Sequence, residues 1–361
     1  MRVVQIIDSL NSGGAERMAV NYANALCRKI EFSGLISTRK EGLLLNQIDE
    51  KVFYLFLNKR KKIDFSAVFK LRKYLINNRI DIIHAHSSSF FIAVLVKLTL
   101  PKIKIIWHDH YGISQDLDSR KNLSLKFGSA FFSGAVSVNT ALKTWAEFYL
   151  WCSNFIYLPN FIEENSNLKK SYLRGFEGSR IICVANLRPQ KNHELLLKAA
   201  YLIKDKFPKW SFHLLGKDFS DSYGASLHKM VDDLNLNENV FFYGEVNNVT
   251  AALEQCDIAV LASLSEGLPL AVLEYGFYKL PVVATNVGEI SKVIVSEKQG
   301  ILVRSNDLEE FAKSIQNLIE DENRRIKMGL ELNKFVRLNY GKELIIKDYL
   351  IWLNSLFNFK N

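Results

Sequence analysis

Short apolar runs recur along the chain, separated by longer stretches in which apolar positions return every three or four residues. In the first half the runs are VVQII (3–7), SGLIS (33–37), VFYLFL (52–57), DIIHAH (81–86), KIIW (104–107), AVSV (135–138) and FIYL (155–158). Helical spacing fills most of the gaps, for example at 15–28, 65–77 and 140–148. In the second half the runs are RIICVA (180–185), FHLLG (212–216), VFFYG (240–244), IAVLAS (258–263), PVVAT (281–285) and ILV (301–303). Helical stretches at 192–206, 222–235, 247–255, 269–279 and 307–319 lie between them. A continuously apolar strand is buried on both faces, and its alternation with helices builds a parallel sheet covered on both sides. Two such series predict two doubly wound α/β domains. The segment Glu163 to Gly178 is charged, lacks strand periodicity and is the predicted linker between domains at 1–162 and 179–340. After Asp321 the pattern is helical, near 322–339 and 342–357.

Composition narrows the classes. The chain has 361 residues, 48% apolar and 24% charged, which excludes a disordered, collagen-like or low-complexity protein. Cys27, Cys152, Cys183 and Cys256 are isolated and read as reduced core residues of a cytosolic protein. The most apolar stretch, Phe90 to Val96, stops at Lys97, short of the ~18 residues that span a bilayer. The start, MRVVQIID, reaches Asp8 before a signal-peptide core could form, so the expected location is the cytosol. Residues 1–165 carry 22 Lys/Arg against 14 Asp/Glu, whereas the remainder carries 25 against 24. A basic half attracts nucleic acid, anionic lipid or phosphorylated metabolites. Its sharpest cluster, Lys59-Arg60-Lys61-Lys62, reads as a solvated loop or as a membrane or acceptor contact.

Ligands of open parallel sheets bind beyond the carboxyl ends of the strands, so the strand-to-helix loops are where chemistry is expected. After the first strand, Gly13-Gly14 precedes a helix beginning near Ala15, which suits close approach of an anion to free amides. The loop is not GxGxxG, which disfavours a dinucleotide oxidoreductase. His84-x-His86 and His108-Asp109-His110 end two neighbouring runs, each pair on one face of its strand. Such histidines serve as metal ligands, as hydrogen-bonding contacts to a sugar or phosphate, or as packed polar residues. The loop NLRPQKNHE places Arg188 and Lys191 ahead of a helix, a pair that would balance a pyrophosphate without magnesium. In SEGLPLAVLEYGF, Glu266 lies in the loop, Pro269 suits the first helical turn and Glu274 lies about five residues in. Two carboxylates so spaced, with the amides near Gly267, Leu268 and Leu270 between them, would bracket a diphosphate.

These residues resemble the GT-B glycosyltransferases, specifically the large retaining family called glycosyltransferase family 4 (glycosyl transferases group 1), over nearly the whole chain. Gly13-Gly14-Ala15-Glu16-Arg17 looks like its first-domain glycine loop, and DIIHAH and WHDHYG (107–112) stand where it carries histidine segments. LPNFIE (158–163) is similar to its interdomain phrase, usually Pro-Asn-Gly-acid, with Phe161 in place of the glycine. Arg188 and Lys191 match its basic pair, and Glu266-x7-Glu274 its two-glutamate signature. The resemblance implies two Rossmann-like domains facing across a cleft, the first acceptor-binding and the second binding the nucleotide-sugar. A helix at 341–361 would cross back to the first domain. It implies retaining hexosyl transfer from a nucleotide-diphosphate sugar to a glycan or lipid-linked glycan, with no obligatory metal and no other cofactor. Arg188 and Lys191 would stabilise the departing diphosphate, and Gly14 would offer its amide to the distal phosphate. Glu274 would hold the ribose, and Glu266 and His108 the donor sugar, with His86 and His110 as further sugar or acceptor contacts. Bacterial surface-polysaccharide assembly, with peripheral contact to anionic membrane through Phe90-Phe91 and residues 59–62, is the setting that family habit suggests.

Two rivals follow from the same residues. A nucleotide-sugar 2-epimerase of this fold would share the nucleotide site but would convert its sugar without an acceptor. A nucleic-acid-binding protein would use the net charge of +9, although the second half is nearly neutral.

Overall fold

The fold is that of a computed structural model, which describes residues 1–11, 13–112, 117, 120, 122–162, 173–246 and 248–358. The chain forms two compact units, Met1–Glu163 with Lys342–Asn361, and Glu164–Gly341. Residues 163–172 of the expected linker lie outside the described residues, and 173–178 form turns.

In the first unit, strands β1 (Arg2–Ser9), β2 (Phe32–Lys40), β3 (Phe53–Phe56), β4 (Ile82–His86), β5 (Lys104–Asp109), β6 (Gly134–Ser137) and β7 (Phe155–Tyr157) form one parallel sheet. Helices α1 (Gly14–Leu26), α2 (Phe65–Asn77), α3 (Phe90–Thr99), α4 (Leu123–Ser129) and α5 (Thr140–Tyr149) lie between strands. Three of these helices start where a side-chain oxygen takes an orphan amide: Asp64 from Ala67, Asn122 from Leu125 and Asn139 from Leu142. The spatial order is β3-β2-β1-β4-β5-β6-β7, so the winding reverses between β1 and β4. One face of the sheet, with Ile83, Ala85, Ile105 and Trp107, packs on α2 and α3. The segment Phe90–Val96 is apolar throughout because α3 is covered by α2, α4 and the sheet at once.

Two expectations for this unit need correction. Phe90 is a core residue and does not project for membrane contact. Lys59 is buried as well, its backbone held by the Thr38 carbonyl at the end of β2, while Arg60, Lys61 and Lys62 are exposed. Burial, followed by the nearby Arg39 charge, lowers the Lys59 pKa from its ordinary value.

The second unit holds β8 (Arg180–Val184), α6 (His193–Lys204), β9 (Ser211–Leu215), α7 (Ser222–Asp233), β10 (Val240–Gly244), α8 (Val249–Leu253) and β11 (Ile258–Leu261). It continues with α9 (Leu270–Phe277), β12 (Val282–Thr285), α10 (Ile290–Val293), β13 (Ile301–Val303), α11 (Leu308–Glu320) and α12 (Glu322–Tyr340). Its strands are parallel in the order β10-β9-β8-β11-β12-β13, reversing between β8 and β11. The last helix, α13 (Lys342–Phe357), belongs to the first unit, where Ile345, Ile346, Tyr349 and Leu353 are buried and α1 packs against it. Its Trp352 fits only because β6 begins with Gly134: a Cβ there would lie 2.7 Å from the indole. All four cysteines are free, Cys27 half-buried and the others buried.

Candidate active site

The reversals of strand order place the chemistry. Each leaves a crevice at the carboxyl ends of two strands whose connections run in opposite directions. In the second unit those strands are β8 and β11, and they carry the two loops singled out in the sequence.

After β8, Pro189–Lys191 makes a single tight turn, and Asn192, with φ of 51°, leads into α6. Lys191 Nζ donates to Glu266 Oε1 at 2.5 Å, and Ser263 Oγ donates to the same oxygen at 2.6 Å. The Leu264 amide bonds the Gln190 carbonyl at 2.8 Å, so the two loops are stitched across the crevice. Glu266 is only 5% exposed. The carboxylate is thus held by an ammonium and a hydroxyl at once, which offsets the solvation lost on burial. Arg188 is exposed and stacks its guanidinium over Phe219 at 4.5 Å.

The rest of the site is built on α9. Pro269 caps this helix from outside, with φ of −72° and ψ of 123°, and does not sit in its first turn as expected. Glu274 is the fifth residue of α9 and is buried. The next residue, Tyr275, accepts the Val184 amide at 2.7 Å and so pins the helix to the end of β8. At the other end Asn333 of α12 donates to the Gly276 and Phe277 carbonyls. Gly288, with φ of 58°, completes the loop: a Cβ would lie 2.0 Å from the Glu266 carbonyl oxygen. The Glu289 amide bonds the Gly267 carbonyl. Gly288, Tyr275 and Asn333 were not singled out in the sequence. Of these only Gly288 left a signal, a glycine in a strand-to-helix turn.

The structure thus joins Lys191 to Glu266 and puts Gly267, Leu268, Leu270 and Glu274 on the same loop and helix. Arg188 lies on the partner loop, directed onto Phe219.

In the first unit the loop after β1 leads into α1, with Gly13 extended and Gly14 the first helical residue. Among the described residues a Cβ on Gly14 would meet nothing within 4 Å, so their packing does not require glycine there. The four histidines lie on one face at the ends of β4 and β5, where His86 registers with His108. Tyr22 of α1 meets His84, His108, Phe161 and Tyr349 edge-on. Phe161, the departure from the family phrase, is therefore a core residue, and its carbonyl accepts from Asn21. His84 Nε2 pairs with His108 Nδ1 at 3.1 Å, and His84 Nδ1 with Tyr349 Oη at 2.8 Å. His86 pairs with His110 and with Gln5, both at 2.9 Å. Burial pushes His84, His86 and His108 well below the ordinary histidine pKa and His110 down to about 3, so all four rings are neutral.

Ring nitrogens of His84, His86 and His108 lie within 4.8 Å of one another, close enough to suit a metal ion. Their hydrogen bonds, however, aim His84 Nε2 at His108 Nδ1 and the His86 nitrogens at His110 and Gln5, away from a common centre. His108 is fully buried, and its Nε2 has no partner among the described residues, whereas His110 is half-buried. The neighbouring Asp109 takes a bidentate pair from Arg120 at 2.6 and 2.8 Å, yet burial outweighs this fork and raises its pKa above the ordinary carboxylate value.

Comparison with known proteins bears on both units. Residues 165–333 match the model for glycosyl transferases group 1, and residues 12–162 match that for glycosyltransferase family 4. An uncharacterized glycosyltransferase of Haemophilus influenzae is 28% identical over 346 residues, covering 94% of this chain and 96% of its own. The UDP-Gal:alpha-D-GlcNAc-diphosphoundecaprenol alpha-1,3-galactosyltransferase of Escherichia coli is 24% identical over 343 residues, covering 88% and 87%. Among solved structures, Anabaena HepE in complex with UDP-glucose aligns with a TM-score of 0.80 at 17% identity, over 98% of this chain and 100% of its own. A Rickettsia africae glycosyltransferase aligns with a TM-score of 0.75 at 16% identity, over 99% of each. The chain is a glycosyltransferase of the GT-B fold and belongs to glycosyltransferase family 4, the glycosyl transferases group 1.

Proposed function

We propose that this enzyme transfers a sugar, with retention and without an obligatory metal, from a nucleotide-diphosphate sugar to a glycan or lipid-linked glycan of bacterial surface polysaccharide. The observation that carries the reading is the Lys191–Glu266 pair at the β8/β11 crevice, stitched to the loop of Arg188. Two cations beside the amide ends of two elements make a receptor for a diphosphate. A diphosphate arriving there would compete with Glu266 for Lys191 and free that carboxylate for a donor-sugar hydroxyl. Glu274 would accept from the ribose hydroxyls. In the first unit Gly13 and Gly14 would approach a phosphate and His108 the donor sugar, with His86 and His110 as further contacts.

In the transfer, the bond from the anomeric carbon to the diphosphate oxygen breaks as the acceptor oxygen attacks from the same face, and the leaving oxygen takes the acceptor proton. The UDP-galactose donor of the Escherichia coli relative and the UDP-glucose bound to HepE support such a donor, and that relative's diphosphoundecaprenol acceptor supports a lipid-diphosphate acceptor. Membership of a transferase family does not favour the epimerase or the nucleic-acid-binding reading.

Calorimetry with UDP, GDP and ADP tests the donor site; binding of none of them would end the proposal. The anomeric configuration of the product, read by NMR, tests retention, and undiminished activity in excess chelator tests independence of metal. Product formation that needs no acceptor would revive the epimerase. For the membrane, exposed Lys61 and Lys62 beside Phe65 and Phe69 on α2 are the surface to test by vesicle sedimentation.

A further inference from the structure

The histidine row is wired to a residue far away in sequence. A neutral imidazole has one N–H and one lone pair, so a hydrogen bond to one nitrogen dictates what the other can do. The chain of bonds is Tyr349 Oη to His84 Nδ1 at 2.8 Å, then His84 Nε2 to His108 Nδ1 at 3.1 Å. It ends at His108 Nε2, buried and, among the described residues, without a partner. Among the described residues Tyr349 Oη has no second partner.

Two directions are formally open. If Tyr349 accepted from His84, its own O–H would be left unsatisfied in a fully buried site, and His108 Nε2 would be an orphan lone pair as well. If Tyr349 donates, only one group, the His108 Nε2–H, is left over. A buried orphan costs about 1–3 kcal/mol, so the second arrangement prevails. Phenol is also the better donor and imidazole the better acceptor.

We propose that Tyr349 is a positioning residue for His108. By donating to His84 Nδ1 it fixes His84 as the Nε2–H tautomer, and His84 in turn fixes His108 so that its Nε2 presents a hydrogen. The inference rests on the reading above in one respect, that His108 meets the donor sugar. It adds what the ring can recognise there: an oxygen with a free lone pair, such as a sugar hydroxyl or an acyl carbonyl. A protonated amine in that place would face an N–H and be rejected.

The test reads tautomers directly. In 15N-labelled full-length protein without substrate, long-range proton–nitrogen spectra distinguish N–H from lone-pair ring nitrogens. His84 and His108 are expected to carry the proton on Nε2 and the lone pair on Nδ1. Tyr349→Phe, which removes only the hydroxyl, should shift His84 or His108, or both, to the other tautomer or to a mixture. His84→Gln, whose amide can still donate to His108 Nδ1, should leave His108 unchanged, and it provides the readout should Tyr349→Phe fold poorly. A lone pair on His108 Nε2 in the unmodified protein, or identical tautomers with and without the hydroxyl, would overturn the proposal.

Kinetics separate this from the reading beneath it. Tyr349→Phe should lower kcat/KM by about three- to tenfold, the worth of one neutral hydrogen bond, with unchanged affinity for the nucleoside diphosphate. A tautomer change with no kinetic effect would leave Tyr349 in its role and remove His108 from the sugar site.

Discussion

Among individual residues, Lys191 and Glu266 carry the most. Their contact is largely buried and shares a carboxylate oxygen with Ser263, so neither charge can be removed alone without exposing the other to a dry environment. Lys191→Ala should weaken nucleoside diphosphate binding by about tenfold or more, the range for a lost charge-assisted hydrogen bond. Glu274→Ala should weaken it by a similar factor, since the buried carboxylate in the second turn of α9 is the group that would accept from the ribose. Calorimetry on both variants, with circular dichroism to confirm the fold, decides the matter. Affinity unchanged in both would remove the diphosphate from this crevice. Arg188 is a different case, because it is exposed and stacked on Phe219 in the free enzyme. It would have to leave that ring to reach a phosphate.

Among elements, the pattern of apolar positions placed the strands and the flanking helices within a few residues, because a doubly wound sheet repeats one local rule: buried strand, loop, half-buried helix. Where that rule stops, so did legibility. Helix α3 escaped because it is covered on several sides, and α4 because it is short and follows a segment with no period. The loops after β8 and β11 could be read because their residues are neighbours in sequence. The support beneath them could not. Gly288, Tyr275 and Asn333 reach the site from the turn after β12, the buried side of α9 and α12, and only the folded chain brings them together. Tyr22 and Tyr349 are hidden for the same reason, each an ordinary aromatic at helical spacing until it meets the histidines.

Glycines chosen for closeness provide a test at this level. Gly134→Ala would drive a methyl into Trp352 and lift α13 from the first sheet, and should cost about 1–3 kcal/mol in chemical denaturation. Gly14→Ala, by contrast, meets none of the described residues and should cost nothing in stability. If both substitutions were silent, α13 would not be packed as described.

For the molecule as a whole, pH is the most direct probe of the buried rings. Burial holds His84, His86 and His108 well below 6.5, takes His110 and His213 down to about 3, and takes His193 to about 4. In the unfolded chain each returns to about 6.5. Below that value the unfolded chain takes up protons that the folded one refuses, so stability is complete at neutral pH and falls as the solution is acidified. Each ring contributes a slope of up to about 1.4 kcal/mol per pH unit below 6.5. Urea midpoints should therefore be level from pH 8 to 7 and drop steeply between pH 6 and 5. A profile without that drop would mean that the rings are hydrated. Such a slope also cautions against assaying this transferase in acidic buffer, where loss of activity would report unfolding instead of chemistry.

The return of α13 to the first unit has a consequence for biosynthesis. Residues 342–357 leave the ribosome only after the 178 residues of the second unit, Glu164–Gly341, have been made. At roughly 5–20 residues per second, the amino-terminal sheet waits about 9–36 s for the helix that seals its histidine-bearing face. Through that interval the face carrying Tyr22 and the four imidazoles lacks its covering helix, and the phenol that would orient them has not yet been translated.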